Sequence, residues 1–485
     1  LSRAPEATSP GLVRALGLLD TTLLVIGLVI GSAVFMVTGG PDGVARLLPT
    51  PGALILAWVA GGALSFAGAL VFAELGAALP HAGGQYVFLR EAYGDLIGFL
   101  YGWSLFMVIN TGTLAALAVG YAEYFGAFFP SLGTDRIVAS IPVPLLGHAL
   151  AISAGQLNAV FVIALLTVVN CFGIKEGSVF QGIVTVMKIG SFAGFMILGL
   201  AIGHGSLGHF TPLFTAAPAV AEAASPAAGA AASGAAAGPI TFGSFVLAMI
   251  AMLWAYDGWN NITFTAGEVK NPQRNIPLSL VFGISAITLI YVGMNLLYIY
   301  AMPVGEMTTT ARIGEVAAGR LFGPTGARLM TVAVLVSVFG CISATVISGP
   351  RVFYAMAKDR LFFRGLAEVH PRYHTPVRAI LWQGVWSCAL CLTGTYGQLF
   401  TFAIFAAVLF YALAGVSVIV LRRTHPEWPR PYRTWGYPVT PLLYVALCTI
   451  VLINTLITQP LESGIGLGIV ALGLPAYLYW RVKRA

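Results

Sequence analysis

Residues 254–261 read Trp254-Ala255-Tyr256-Asp257-Gly258-Trp259-Asn260-Asn261, in the middle of an otherwise apolar run from 241 to 267. A run of that length is enough to cross a bilayer, which takes about 20 apolar residues. An aspartate, a glycine and two asparagines at its centre are poorly explained by packing alone, because an ionisable side chain at that depth is expensive. The first apolar run of the chain, 17–39, is interrupted too, by Gly27, Gly31-Ser32-Ala33 and Gly39-Gly40. Taken alone, Gly31-Ser32 reads equally well as a small-residue face for helix packing. The pairing changes that balance. The two interrupted runs open two stretches of similar length, 17–203 and 241–421, each with room for five spans. Paired broken helices in two five-span halves are the pattern of an inverted-repeat secondary transporter.

The composition agrees. Of 485 residues, 58% are hydrophobic and 9% charged, against about 25% charged in an ordinary soluble domain. Mean hydropathy is +0.87. A water-soluble globule, a disordered chain, collagen and a disulfide framework are all excluded. Apolar length and turn punctuation predict an all-α polytopic membrane protein of twelve spans: 17–39, 53–79, 94–128, 148–172, 178–203, 241–267, 277–302, 324–357, 377–396, 398–421, 439–458 and 463–482. The third and eighth are long enough to tilt or to extend beyond the bilayer. Residues 1–16 form an N-terminal tail and 439–482 carry the last two spans. The first run leads straight into further spans and lacks the pattern of a cleavable signal peptide.

The formal net charge of +7 is better read as topology than as nucleic-acid binding. With the N-terminus inside, nineteen basic residues fall on inner segments: Arg3, Arg14, Arg90, Lys175, Lys270, Arg274, Arg351, Lys358, Arg360, Arg364, Arg372, Arg378, Arg422, Arg423, Arg430, Arg433, Arg481, Lys483 and Arg484. Five fall outside: Arg46, Arg136, Arg312, Arg320 and Arg328. Both termini are therefore expected in the cytoplasm of a cell with this protein in its plasma or inner membrane. Residues 215–239 are low-complexity Ala, Gly, Ser and Pro with one charge, so 204–240 is expected as a mobile external loop. The five cysteines sit in or at the ends of apolar spans, and the Cys388-Cys391 spacing has no second pair or histidine to make a metal site. No cofactor, metal or nucleic acid is expected.

Breaking a helix has a chemical use. It frees backbone N–H groups, which suit a carboxylate, and carbonyls, which suit an ammonium group. Two breaks facing each other can hold the zwitterionic end of an amino acid. Lys188 lies eleven residues past Gly177, about 16 Å into its helix and near the middle of the bilayer core. Its ammonium must find carbonyl or carboxylate partners or give up its proton. It reads as a substitute for a sodium ion, a proton carrier or a structural tie. Asp257 reads as a cap, a partner of a substrate ammonium, or a group facing a water-filled path. Glu74 and Glu123 read as packing or interfacial residues. No histidine cluster or phosphate loop supports ATP-driven transport.

The chain also resembles the amino acid-polyamine-organocation superfamily, and within it a bacterial-type member of the L-amino-acid transporter branch. The residues that carry the resemblance are Gly31-Ser32-Ala33-Val34-Phe35, Phe72-Ala73-Glu74-Leu75-Gly76 and Gly83-Gly84-Gln85-Tyr86, followed by Ala255-Tyr256-Asp257-Gly258-Trp259-Asn260, Glu268-Val269-Lys270-Asn271-Pro272, Ser337-Val338-Phe339-Gly340 and Arg351. The likeness implies a LeuT-like five-plus-five inverted repeat with helices 1 and 6 broken and two further helices. It implies a substrate site on the unwound segments Val29, Ile30, Gly31, Ser32, Ala33 and Trp254, Ala255, Tyr256, Asp257, Gly258. The amides around Gly31, Ser32 and Ala33 would take the carboxylate. The carbonyls of Val29, Trp254 and Asp257 would take the amino group, with Trp254 as an aromatic lid. Lys188, near span one and Ser337, would occupy a sodium-site position and make transport sodium-independent.

Two departures from the family pattern matter. Ala33 stands where the family usually has a glycine, which bears on substrate space. Residues 129–147 lack the cysteine that joins animal relatives to a glycoprotein, so no disulfide-linked partner is expected. The expected function is sodium-independent transport of L-amino acids, neutral ones first, by alternating access with exchange or proton coupling. A cationic amino acid or polyamine is the alternative substrate. A polytopic membrane enzyme is the reading from another class, and the sequence offers no catalytic cluster for it.

Overall fold

The computed structural model describes residues 12–143, 148–214, 240–393 and 396–484. The low-complexity stretch 215–239 and most of the N-terminal tail lie outside them. Among the described residues, ten helices are long and apolar enough to cross a membrane, and the chain is a multi-pass membrane protein. In chain order the helices are α1 (Leu18–Val29), α2 (Ala33–Met36), α3 (Val44–Leu47), α4 (Pro51–Ala78), α5 (Gln85–Tyr93), α6 (Asp95–Ser104), α7 (Asn110–Gly126), α8 (Ala154–Asn170) and α9 (Ile174–Ile202). They continue with α10 (Phe242–Tyr256), α11 (Pro272–Ala301), α12 (Val304–Met307), α13 (Ile313–Ser348), α14 (Pro350–Lys358), α15 (Val377–Cys391), α16 (Tyr396–Thr424), α17 (Val439–Thr458) and α18 (Pro460–Arg484).

Burial ranks these helices. The α6–α7 stretch is 83% buried over its most apolar window, whereas the α17 and α18 windows are 28% and 17% buried, so the last two helices sit at the rim. Apolar side chains that a soluble protein would hide, among them Val179, Ile183, Val186 and Ile197 on α9, lie on the surface, where only lipid suits them. Helix α1 packs against α9, α11 and α13, and α4 against α11, so the broken first helix is enclosed by its neighbours.

Two expectations, the fourth and third spans, need correction. The fourth span does not begin at 148: His148–Ser153 is a strand paired antiparallel with Ile137–Val143, and the helix starts at Ala154. Ser153 accepts from the Gln156 N–H and Gln156 accepts in return from Ser153, a capping box that starts α8 there. Gly323, at φ 73°, and Pro324 separate a short helix over 313–322 from the expected eighth span, which starts at 324. The third span is not one α-helix, because a π turn, Leu105–Ile109, separates α6 from α7. Arg351, counted among the inner basic residues, makes a buried ion pair. It donates through Nε and Nη2 to Glu268 at 2.9 and 3.0 Å.

That pair belongs to a set of polar ties at the face where the N-terminal segment docks. Ala15 and Leu16 donate N–H groups to the Glu268 carbonyl, and Lys270 returns one to Leu16. Glu74 accepts from Arg422 at 2.7 and 2.8 Å and from the Thr434 hydroxyl and N–H, which fixes α4 to α16 and the segment after it. Tyr86 and Arg90 on α5 both donate to Asp359 beyond α14. Burial and the Asp359 carboxylate push the Tyr86 phenol up, so it remains a donor throughout the physiological range.

Candidate functional site

A helix end leaves four carbonyls without intrahelical partners. For α1 these are Gly27, Leu28, Val29 and Ile30, and side chains from three other helices meet every one. Lys188 Nζ on α9 donates to Ile30 at 2.6 Å and to Gly27 at 3.3 Å. Cys341 Sγ on α13 lies 3.0 Å from the Leu28 oxygen, and Ser337 Oγ on the same helix donates to Ile30 at 3.1 Å. The Tyr291 hydroxyl on α11 is 3.0 Å from the Val29 oxygen. The break is thus a built feature, held open at mid-protein. Beyond it, Gly31 precedes α2 and Ala33 is its first residue, so that helix supplies no acceptor for their N–H groups.

The second break follows α10. Asp257 is extended, with φ −67° and ψ 156°, and Gly258 follows at φ +100° before a 3-10 helix over Trp259–Glu268. A Cβ on Gly258 would be strained by that φ and would stand 3.1 Å from the Leu28 oxygen, so glycine lets the two breaks approach. Tyr291 joins them: its hydroxyl is 3.0 Å from the Ala255 oxygen as well as from Val29, and its one proton serves either. The Asp257 carboxylate accepts from the Tyr411 hydroxyl of α16. That hydroxyl is also 3.2 Å from Asn260 Oδ1, and Asn260 Nδ2 donates to Gln85 Oε1 at 3.1 Å.

Between the breaks lies a small cavity of about 30 Å³, room for about two water molecules. The first break contributes Leu28, Val29, Gly31 and Ala33, and the second contributes Trp254, Asp257, Gly258, Asn260 and Asn261. Helices α6 and α7 with the π turn between them form a long wall. Cys341, Thr345, Ala407 and Tyr411 complete the lining.

Six of the ten residues expected at the substrate site therefore line one cavity: Val29, Gly31, Ala33, Trp254, Asp257 and Gly258. Ile30, Ser32, Ala255 and Tyr256 do not line it. All four are buried, and Tyr256 instead donates to the Trp58 carbonyl at 3.0 Å. Lys188 and Ser337 meet on the Ile30 carbonyl, behind the first break rather than in the cavity. The carbonyls of Val29 and Trp254 are not vacant: Tyr291 reaches the first and the Asp257 N–H donates to the second. Sequence reading missed Asn110, Thr113, Thr345 and Tyr411, and read Asn260 and Asn261 as part of the break without assigning them to the site. Asn110 was detectable as a carboxamide inside an apolar run. Among the described residues, no group of three His, Cys, Asp or Glu side chains is placed to hold a metal ion.

Comparison with known proteins adds an independent line. A family model described as amino acid permease matches residues 16–470. The chain is similar to the serine/threonine exchanger SteT of Bacillus subtilis (strain 168), with 32% identity over 98% of each chain. It is similar to the b(0,+)-type amino acid transporter 1 of Homo sapiens, with 28% identity over 95% of this chain and 85% of the relative. The large neutral amino acids transporter small subunit 2 of Homo sapiens is 28% identical over 99% of this chain and 84% of its own.

Proposed function

This chain belongs to the amino acid permease family, and we propose that the cavity between its two helix breaks carries neutral L-amino acids across the membrane without sodium. The protein is an amino acid transporter and not an enzyme. The N–H groups of Gly31 and Ala33 bind the substrate carboxylate, with the positive end of α2 behind them. The carbonyls of Val29, Trp254 and Asp257 bind the ammonium group, and the Trp254 ring covers it. Lys188 keeps a positive charge at the end of α1, where a carbonyl cluster would otherwise attract a cation. That arrangement is the observation that carries sodium independence. Alternating access then proceeds by exchange or proton coupling, with the termini on the cytoplasmic side of a cell membrane, lipid around the bundle and no disulfide-linked glycoprotein.

The test is uptake of labelled L-amino acids into liposomes holding the purified protein. Uptake of neutral amino acids that is equal in sodium and choline buffers supports the reading, and strict dependence on sodium defeats it. Uptake that needs internal amino acid identifies exchange, whereas uptake driven by an inward proton gradient alone identifies symport. A cationic amino acid or polyamine is the second reading, favoured by the Asp257 carboxylate on the cavity wall.

A further inference from the structure

The wall opposite the helix breaks contains one polar side chain whose orientation is imposed from outside the cavity. Gln383 on α15 donates through Nε2 to the Thr345 carbonyl at 3.4 Å, and a carbonyl only accepts. Its Oε1 is thereby turned toward Asn110, which must present Nδ2 to it, and does so at 2.9 Å. Asn110 is 3% exposed and lines the cavity, so its Oδ1 is left as an acceptor on a mostly apolar wall. A buried acceptor there favours whatever brings it a donor.

Two further features serve this placement. Tyr101, Leu105, Ile109, Thr113 and Leu117 all line the cavity at every fourth position. A straight α-helix turns about 100° per residue, so steps of four drift by about 40° each. The π turn at Leu105–Ile109 winds more slowly and takes up part of that drift, and Asn110 emerges directly after it. Gly349, between α13 and α14, leaves the space that the two carboxamides fill, since a Cβ there would overlap both Asn110 Nδ2 and Gln383 Oε1. Its φ of −54° is ordinary for any residue, so the glycine is required by space and not by backbone geometry.

We propose that Asn110 Oδ1 is a specificity-determining acceptor for a short, uncharged substrate side chain bearing an O–H or N–H donor, a Cβ hydroxyl above all, and that Gln383 is its positioning residue. The inference rests on the transport reading above, which assigns the α-carboxylate and α-ammonium to the helix breaks and leaves the side chain to this wall. Leu105, Ile109 and Leu117 beside it are apolar and limit the length of side chain that the wall receives.

Serine and alanine differ by that one hydroxyl, so the readout is the ratio of their kcat/KM values in liposomes containing the full-length protein. The wild-type ratio should favour L-serine by about tenfold, the scale of one net hydrogen bond. It should fall to near one in Asn110→Leu. Gln383→Leu and Gly349→Ala, neither of which lines the cavity, should each lower it severalfold. The Asn110→Leu/Gln383→Leu pair should lower it no further than Asn110→Leu alone. If Asn110→Leu does not fold, Gly349→Ala supplies the same ratio from a substitution compatible with a helix. A wild-type ratio at or below one, or a ratio unmoved by these substitutions, overturns this inference while leaving the transport reading intact. Absence of uptake for every amino acid by the wild type overturns both.

Discussion

The Lys188 ammonium stands 2.6 Å from the carbonyl oxygen of Ile30, at the residue where α1 stops. It is fully buried, and its second partner is the Gly27 carbonyl one turn earlier. The end of α1 is thus held by a side chain from another helix.

Replacing that charge should be costly. Lys188→Ala leaves the Gly27 carbonyl without its donor and the Ile30 carbonyl with Ser337 alone. Each unsatisfied buried group costs about 1–3 kcal/mol. Uptake should fall about tenfold or more, and wild-type rates in Lys188→Ala would dismiss any coupling role for this residue.

Gly258→Ala should act through the backbone. The φ of +100° is strained for any L side chain, and the new methyl would press on the Leu28 carbonyl at 3.1 Å. A strained backbone of this kind costs about 1–3 kcal/mol. Thermal unfolding in detergent should shift downward together with substrate affinity. An unchanged melting curve with normal uptake would show that the breaks tolerate wider spacing.

Arg351→Met should be more damaging than any surface charge removal, because it abandons the Glu268 carboxylate in a buried site. Breaking one side of such a pair costs about 3–5 kcal/mol. The yield of folded protein, read by size-exclusion chromatography, should drop sharply. The double variant Glu268→Leu/Arg351→Met should recover part of it.

Asp257→Asn separates the two substrate readings. It removes the negative charge that a cationic side chain would use, while a neutral substrate held by backbone groups loses little. Competition by L-lysine should weaken about tenfold or more, the scale of a lost buried charge pair, and competition by L-alanine much less. Equal losses for both would mean that Asp257 acts on the α-ammonium or on Tyr411 instead.

How much of this was legible in the sequence varies by feature. The two breaks were, because Gly31-Ser32 and Asp257-Gly258 are wrong residues for the middle of an apolar helix. Lys188 was, because its depth follows from helix rise alone. The Ile137–Val143 and His148–Ser153 strands were not: a short apolar run is ambiguous between strand and helix until a partner strand is present, although Ser153 and Gln156 have the spacing of a capping box at the start of α8. The π turn had no local signature either.

What the sequence alone determined is the solvent and the depth of the exceptions: an apolar chain must lie in lipid, and its few polar interruptions must lie where lipid is absent. Which carbonyl each donor meets, that Tyr291 serves both breaks, and that Gln383 turns Asn110 toward the cavity were decided only by tertiary structure. The reason is one of range. Helix rise and hydropathy act over a few neighbouring residues, whereas Lys188 and Ile30 are 158 residues apart and Asn110 and Gln383 are 273 apart. Contacts at that separation exist only once the helices between them have packed.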